Sequence, residues 1–279
     1  MALNELVEET LATLAAKQAA FAANAASFHT LAIGSSHGNY AFDPGRFPGA
    51  FNFCSTSQDL KHAAMIYGWC AGQAPHLRDI VLFYSVFSPG FYLEKSSEKQ
   101  RCAVFKALFS PGTPYASHEI NSIFAEVQEV LPTYVPDIAA AGDAGFVRSN
   151  DRYFFPWDYG ADQRAADHMK HNARGGADIY LLMVLDMAQQ FGHRVTVVLP
   201  PVHGDYKNHL RATTQDIFRT IVELKTHFRY DFGFVNFFDD QEFYNHDFGD
   251  YDHLLPEGPG PKIVTDALAL ALRPAEPAA

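Results

Sequence analysis

Five short apolar runs constrain this chain more than any other feature. They are His29–Gly34 (HTLAIG), residues 47–54 (FPGAFNFC), Asp79–Phe87 (DIVLFYSVF), His193–Leu199 (HRVTVVL) and Phe232–Phe238 (FGFVNFF). Most are apolar almost throughout rather than alternating, as strands covered on both faces are. Helical spacing fills the intervals: residues 3–25, Ser57–Gly72 with Ser57 or Thr56 as cap, 162–191 interrupted at Gly175-Gly176, Thr213–Phe228 and Ile263–Leu272. Strands that alternate with helices predict a three-layer α/β/α sandwich around a roughly five-stranded parallel sheet, flavodoxin-like in type. Residues 91–160 break the rhythm, with helical patterns near 97–109 and 117–131, an Ala/Gly stretch and the aromatic run Tyr153–Tyr159 (YFFPWDY). No linker brackets them, so they read as a cap inserted into a single domain spanning 1–279 and covering one end of the sheet.

Composition narrows the function. The net charge is −11, from 21 basic and 32 acidic residues, and no basic run is present. A nucleic-acid partner is therefore not expected, since that binding needs a concentrated basic face. No segment approaches the ~18 apolar residues of a membrane span. The start MALNELVEETLATLAAKQ is acidic and amphipathic, unlike a signal peptide. The spacing of Cys54, Cys70 and Cys102 matches no zinc or redox pattern. Reduced, partly buried thiols are the expectation, and with them a cytoplasmic setting.

In a parallel sheet, ligands sit at the carboxyl ends of the strands. GSSHG there places Ser36 directly after the first strand, followed by His37 and backbone N–H groups; a polar turn is the plainer reading. Asp250-Tyr251-Asp252-His253, before the last helix, offers a base and an acid to fix its tautomer, or simply an acidic surface loop. His37 after the first strand, and His203 and Tyr206 after the fourth, are candidates for touching substrate; Trp157 in the aromatic run is a candidate for stacking on a sugar or acyl chain. Arg148 and Asn150 stay undecided. Asp167, His168 and His171 share helical spacing, but without HExxH or a third ligand they read as a solvated helix face. The acidic residues at 239, 240, 247, 250 and 252 lack EF-hand spacing. No metal or cofactor is expected.

Taken together, a strand-end serine near the start and an Asp-x-x-His before the last helix resemble the SGNH/GDSL hydrolases. Residues 29–37 resemble the first block of that superfamily, with Ser36 as nucleophile and Ser35 where Asp is common. Residues 52–60 resemble the second, where the N–H of Ser57 would bind the oxyanion beside that of Ser36, although Gly is usual there. Residues 250–262 resemble the last, giving Asp250 and His253 the acid and base roles. The Asn of the third block is missing, and Ser88 or Asn39 is the expected replacement donor. GSSH-type relatives from bacterial surface-polysaccharide gene clusters look similar. They imply an esterase or O-acyltransferase acting on acyl, chiefly acetyl, esters of a carbohydrate or small molecule.

Three other readings compete. Gly34–Gly38 also fits G-x-S-x-G, the nucleophile elbow of α/β-hydrolases, but an elbow follows a mid-sheet strand and leads at once into a helix. Ser36 follows the first strand, and HGNYAFDPGRFPG after it reads as a loop. An anion loop for a nucleotide or sugar phosphate would give Asp250 and His253 no role. A non-catalytic glycan- or partner-binding relative would leave Ser36 unreactive.

Overall fold

The computed structural model describes residues 3–148, 160–173 and 175–272. Among these, five strands form one parallel sheet: β1 (Thr30–Gly34), β2 (Ala50–Asn52), β3 (Asp79–Phe83), β4 (Arg194–Leu199) and β5 (Gly233–Asn236), in the order β2-β1-β3-β4-β5. β1 pairs with β2 from Thr30↔Ala50 and with β3 from Thr30↔Asp79 to Gly34↔Phe83. The winding therefore reverses beside β1 and opens a crevice at the carboxyl ends. The helices are α1 (Glu5–Ala23), α2 (Ser36–Ala41), α3 (Leu60–Ala71), α4 (Arg101–Phe109), α5 (His118–Val130), α6 (Ala161–Asn172), α7 (Asp178–Phe191), α8 (Gly204–Asn208), α9 (Arg211–Thr226) and α10 (Gly260–Ala271).

Successive strand residues face opposite sides. Leu31, Ile33, Phe51, Phe53, Ile80, Leu82, Val195 and Val197 enter one core with residues of α1, α3, α4, α7 and α9. Ala32, Ala50, Val81, Phe83 and Val198 enter a second core with Ala41 of α2 and Val264 and Leu268 of α10. The result is the three-layer α/β/α sandwich. Of the 91–160 segment, α4 packs on α1 and α3 and α5 packs on α4. These two helices extend the α1/α3 layer, whereas Phe91 and Lys95–Glu98 border the cavity at the strand ends.

Alanines on the second face let α2 lie close to the sheet. A Cβ at Gly38 would stand 2.5 Å from Cys54 Sγ and from the Phe83 ring. One at Gly34, whose φ is +130°, would stand 2.5 Å from the Phe83 carbonyl oxygen. The two glycines of GSSHG thus allow the turn from β1 into α2 and the packing of α2 on β3. Lys17 of α1 strengthens this corner. Its buried ammonium donates to Asn39 Oδ1 (2.8 Å), Asn52 O (3.1 Å) and Cys54 O (2.6 Å), one acceptor for each of its three protons.

Two local expectations need correction. Residues after Ser36 are not a loop: Ser36 opens the six-residue α2, because Gly38 permits a helix against β3. α3 starts at Leu60 rather than Ser57, since Asp59 Oδ1 accepts the His62 N–H at 2.9 Å and caps it. Among the described residues no helix is long and apolar enough to cross a membrane.

Gly38→Ala should destabilise the fold by about 1–3 kcal/mol through overpacking. Thermal unfolding checks this, and an unchanged midpoint would show that α2 has room to move away from Phe83.

Candidate active site

The loop between β5 and α10 folds tightly before it delivers its histidine. Gly249 N–H donates to His253 O (2.9 Å) and Leu255 N–H to Asp247 O (2.8 Å). Inside this turn, Asp250 Oδ1 accepts the N–H groups of Asp252 (2.9 Å) and His253 (2.8 Å). The same carboxylate accepts from His253 Nδ1 at 2.8 and 3.0 Å. The three-residue spacing is therefore that of an Asx-type turn whose side chain also holds the imidazole.

His253 Nε2 lies 2.8 Å from Ser36 Oγ. A carboxylate only accepts, so His253 carries its proton on Nδ1 and leaves Nε2 bare toward the serine. Burial disfavours the imidazolium of His253, but attraction to Asp250 and then Asp252 outweighs it and raises the pKa above the ordinary histidine value. Burial likewise works against the charge on Asp250, and His253 more than offsets it, leaving that pKa below the usual carboxylate range. Ser36, His253 and Asp250 border a cavity of about 570 Å³.

A second polar cluster lies against this one. Asp252, only 1% exposed, receives two parallel bonds from Arg164 of α6, Nε to Oδ1 and Nη2 to Oδ2, both at 3.0 Å. His37 Nε2 is 3.2 Å from the same carboxylate, and His253 Nδ1 is 3.8 Å from it. Burial raises the cost of the Asp252 charge, yet Arg164 and the histidines hold its pKa well below the usual range. His37 is pulled below its ordinary value chiefly by burial. Its Nε2 proton faces Asp252, and its Nδ1 accepts within a triangle with Ser35 Oγ (3.1 Å) and Ser85 Oγ (3.0 Å). The rings of His37 and His253 are 4.9 Å apart.

The other expected residues fall out differently. Ser57 borders the cavity with φ +58°, and its N–H is without a hydrogen-bond partner among the described residues. Ser88 Oγ instead accepts the Ser85 N–H at 2.9 Å, and Asn39 Oδ1 accepts from Lys17. Neither borders the cavity, which corrects both as replacement oxyanion donors there, since a donor must reach the reacting oxygen; the Ser88 oxygen closes a turn and the Asn39 oxygen meets a buried charge. Tyr206 is fully buried with its hydroxyl on His168 Nδ1. His203 is buried and caps α8, accepting the Asp205 N–H at 3.2 Å. Both are consequently placed in the scaffold, not at the cavity. Trp157 and Asn150 lie outside the described residues. Arg148 binds Asp43, with Nη2 2.6 Å from both carboxylate oxygens.

His168 is not on a solvated helix face: it is buried, and it borders the cavity with Arg164, Asp167 and His171. Donor atoms of His37, Asp252 and His253 lie within 4.8 Å of one another. They fit a cation poorly, since Arg164 occupies both oxygens of Asp252 and both His253 nitrogens are committed. The acidic residues of the 239–252 loop do not converge on one point: Asp239 pairs with Lys207 at 3.0 Å, Asp240 Oδ1 accepts the Glu242 N–H, and Asp247 Oδ2 accepts the Tyr244 N–H.

Sequence reasoning missed the Asp252–Arg164 pair and the His37 triangle. Their members are up to 88 residues apart, and no periodicity links them. The one available signal was that Asp252 shares the DYDH motif with its neighbour.

Asp252→Asn would leave the buried Arg164 guanidinium with a weakened partner and should cost about 3–5 kcal/mol of stability. Urea unfolding measures it; a loss below ~1 kcal/mol would assign the pair the weight of a surface salt bridge. Compared with models of known protein families and with curated proteins, the chain matches none.

Proposed function

We propose that the protein is a serine esterase or O-acyltransferase of the SGNH/GDSL type. Its substrates would be acyl, chiefly acetyl, esters of a small molecule or bacterial surface carbohydrate, handled in the cytoplasm. The observation that carries this reading is the continuous chain Ser36 Oγ–His253–Asp250, with contacts of 2.8 Å at both imidazole nitrogens. The position of the serine after the first strand of the chain and its Asp-x-x-His partner favour the SGNH reading over the elbow of α/β-hydrolases; the strand-end position and the helix after Ser36 do not separate the two.

In the proposed cycle, Ser36 Oγ bonds to the ester carbonyl carbon as its proton passes to His253 Nε2. Asp250 stabilises the imidazolium. The N–H groups of Ser36 and Ser57 receive the negative oxygen. Ser36 is the first residue of α2, where an N–H has no partner within the helix. Collapse breaks the ester C–O bond, and the leaving alcohol takes the proton from His253. Water or a sugar hydroxyl, deprotonated by His253, then attacks the acyl-serine and restores the enzyme. Tyr40, Phe87 and Phe91 offer rings to a sugar face or acyl chain, and Thr56, Ser96 and Ser97 offer hydrogen bonds. All three cysteines are free and buried, which supports the reducing setting.

Two measurements test the reading. A fluorophosphonate probe should add one adduct to the intact protein, and Ser36→Ala should abolish it; an unlabelled wild type removes the serine mechanism. With an ester substrate, Asp250→Asn should lower kcat by about 10⁴-fold. The pH profile of kcat/KM follows from His253, which accepts a proton only when neutral. Because its pKa is raised, activity should fall as pH drops through a value above 6.5. An acid limb below that ordinary value would remove His253 as the base.

A further inference from the structure

Ser57 occupies the left-handed region, φ +58°, which glycine enters freely and a side chain disfavours. Its hydroxyl donates to Glu98 Oε2 at 2.6 Å. The same oxygen accepts from Arg101 Nε at 2.8 Å. Arg101 is buried at the start of α4 and anchored in turn, its Nη1 donating to Thr10 Oγ1 of α1 at 2.7 Å. The Glu98 N–H donates to Ser96 Oγ at 3.1 Å. A chain of polar contacts therefore runs from α1 through α4 to the loop after β2, and Ser57 and Glu98 both border the cavity.

We infer that Glu98 is a positioning residue: its carboxylate holds Ser57 in the left-handed turn that aims the Ser57 N–H at the oxygen of the reacting carbonyl. This rests on the proposed serine mechanism. Glu98 does not touch the reacting atoms; it acts through the backbone of Ser57. Gln58 ties the flanks of this turn to Phe53, Ser55 and Gly34, whereas Ser57 itself is held through its hydroxyl by Glu98; when that contact is cut, the strained Ser57 backbone relaxes and its N–H swings out of line. Glycine at position 57 enters the left-handed region without the steric cost, so the turn depends less on the anchor.

The test uses the full chain as wild type, Glu98→Ala, Ser57→Ala, the double alanine variant, and Glu98→Ala combined with Ser57→Gly. The readouts are the rate of fluorophosphonate labelling at Ser36, located by peptide mass mapping, and steady-state hydrolysis of p-nitrophenyl acetate. In labelling, Ser36 Oγ forms the P–O bond, fluoride leaves with the electron pair of the P–F bond, and the hydroxyl proton goes to His253. Glu98→Ala and Ser57→Ala should each slow labelling by about 10- to 100-fold, the loss of one misaligned oxyanion donor. Hydrolysis should lose kcat while KM stays within about twofold. The double alanine variant should be no slower than either single one, as for two ends of one contact. Glu98→Ala with Ser57→Gly should recover most of the rate.

Glu98→Ala or Ser57→Ala at the wild-type rate overturns the inference alone. So does a slow Glu98→Ala that Ser57→Gly fails to restore, since Glu98 would then act on the cavity wall. If Glu98→Ala does not fold, Ser57→Ala, which deletes one hydroxyl, decides the matter. A wild type unlabelled at Ser36 overturns the serine mechanism and the inference with it.

Discussion

The site depends first on how closely α2 can approach the sheet. Gly38 touches Cys54 Sγ and the Phe83 ring with no room for a Cβ, and Ala32 and Ala50 line the sheet on the same face. That contact sets the height of Ser36 above the strand ends. It also puts Asn39 within reach of Lys17, so that α1 on the far face is tied by one buried ammonium to α2 and the end of β2. A buried cation is tolerable only when its protons have acceptors, and here three are in place. The corner that carries the serine is thus fixed by steric contact on one face and by a satisfied charge from the other.

Charge is distributed over the site by giving two aspartates, two positions apart, different partners. Asp250 faces His253 and the backbone of its own turn; Asp252 faces Arg164 and His37. Both contribute to keeping the His253 imidazolium favourable in spite of burial. Arg164 neutralises the second carboxylate and joins α6 to the loop before α10. Without it, two buried carboxylates would compete for protons, and one would rise in pKa. His37, held neutral by burial, serves as a hydrogen-bond junction beneath the site, passing one nitrogen to Asp252 and the other to Ser35 and Ser85.

Much of this was legible in the residues. The apolar runs named the five strands, and the break at Gly175-Gly176 separated α6 from α7. Ser36, Asp250 and His253 were readable because strand-end position and a three-residue turn are local properties. Ser88 and Asn39 were misplaced for the opposite reason. Each carries suitable chemistry beside the right strand, but which way it points is set by Ser85 and Lys17, a neighbour in one case and 22 residues off in the other. Tyr206 and His203 show the same limit, since a position at the ligand-bearing end of a strand does not decide between cavity and scaffold. The loop read after Ser36 became a helix because its one obstacle, Gly38, is what its packing against Phe83 requires.

By itself, then, the sequence determined the sandwich, the parallel sheet and the order in which a serine, an aspartate and a histidine reach its carboxyl edge, because hydrophobic period and turn chemistry act over a few residues. Tertiary structure alone decided that Ser36 meets His253 at hydrogen-bond distance, that Asp252 is claimed by an arginine from another helix, and that Glu98 anchors Ser57. Those contacts join segments 41 to 217 residues apart, and their geometry is set by packing that no local pattern encodes.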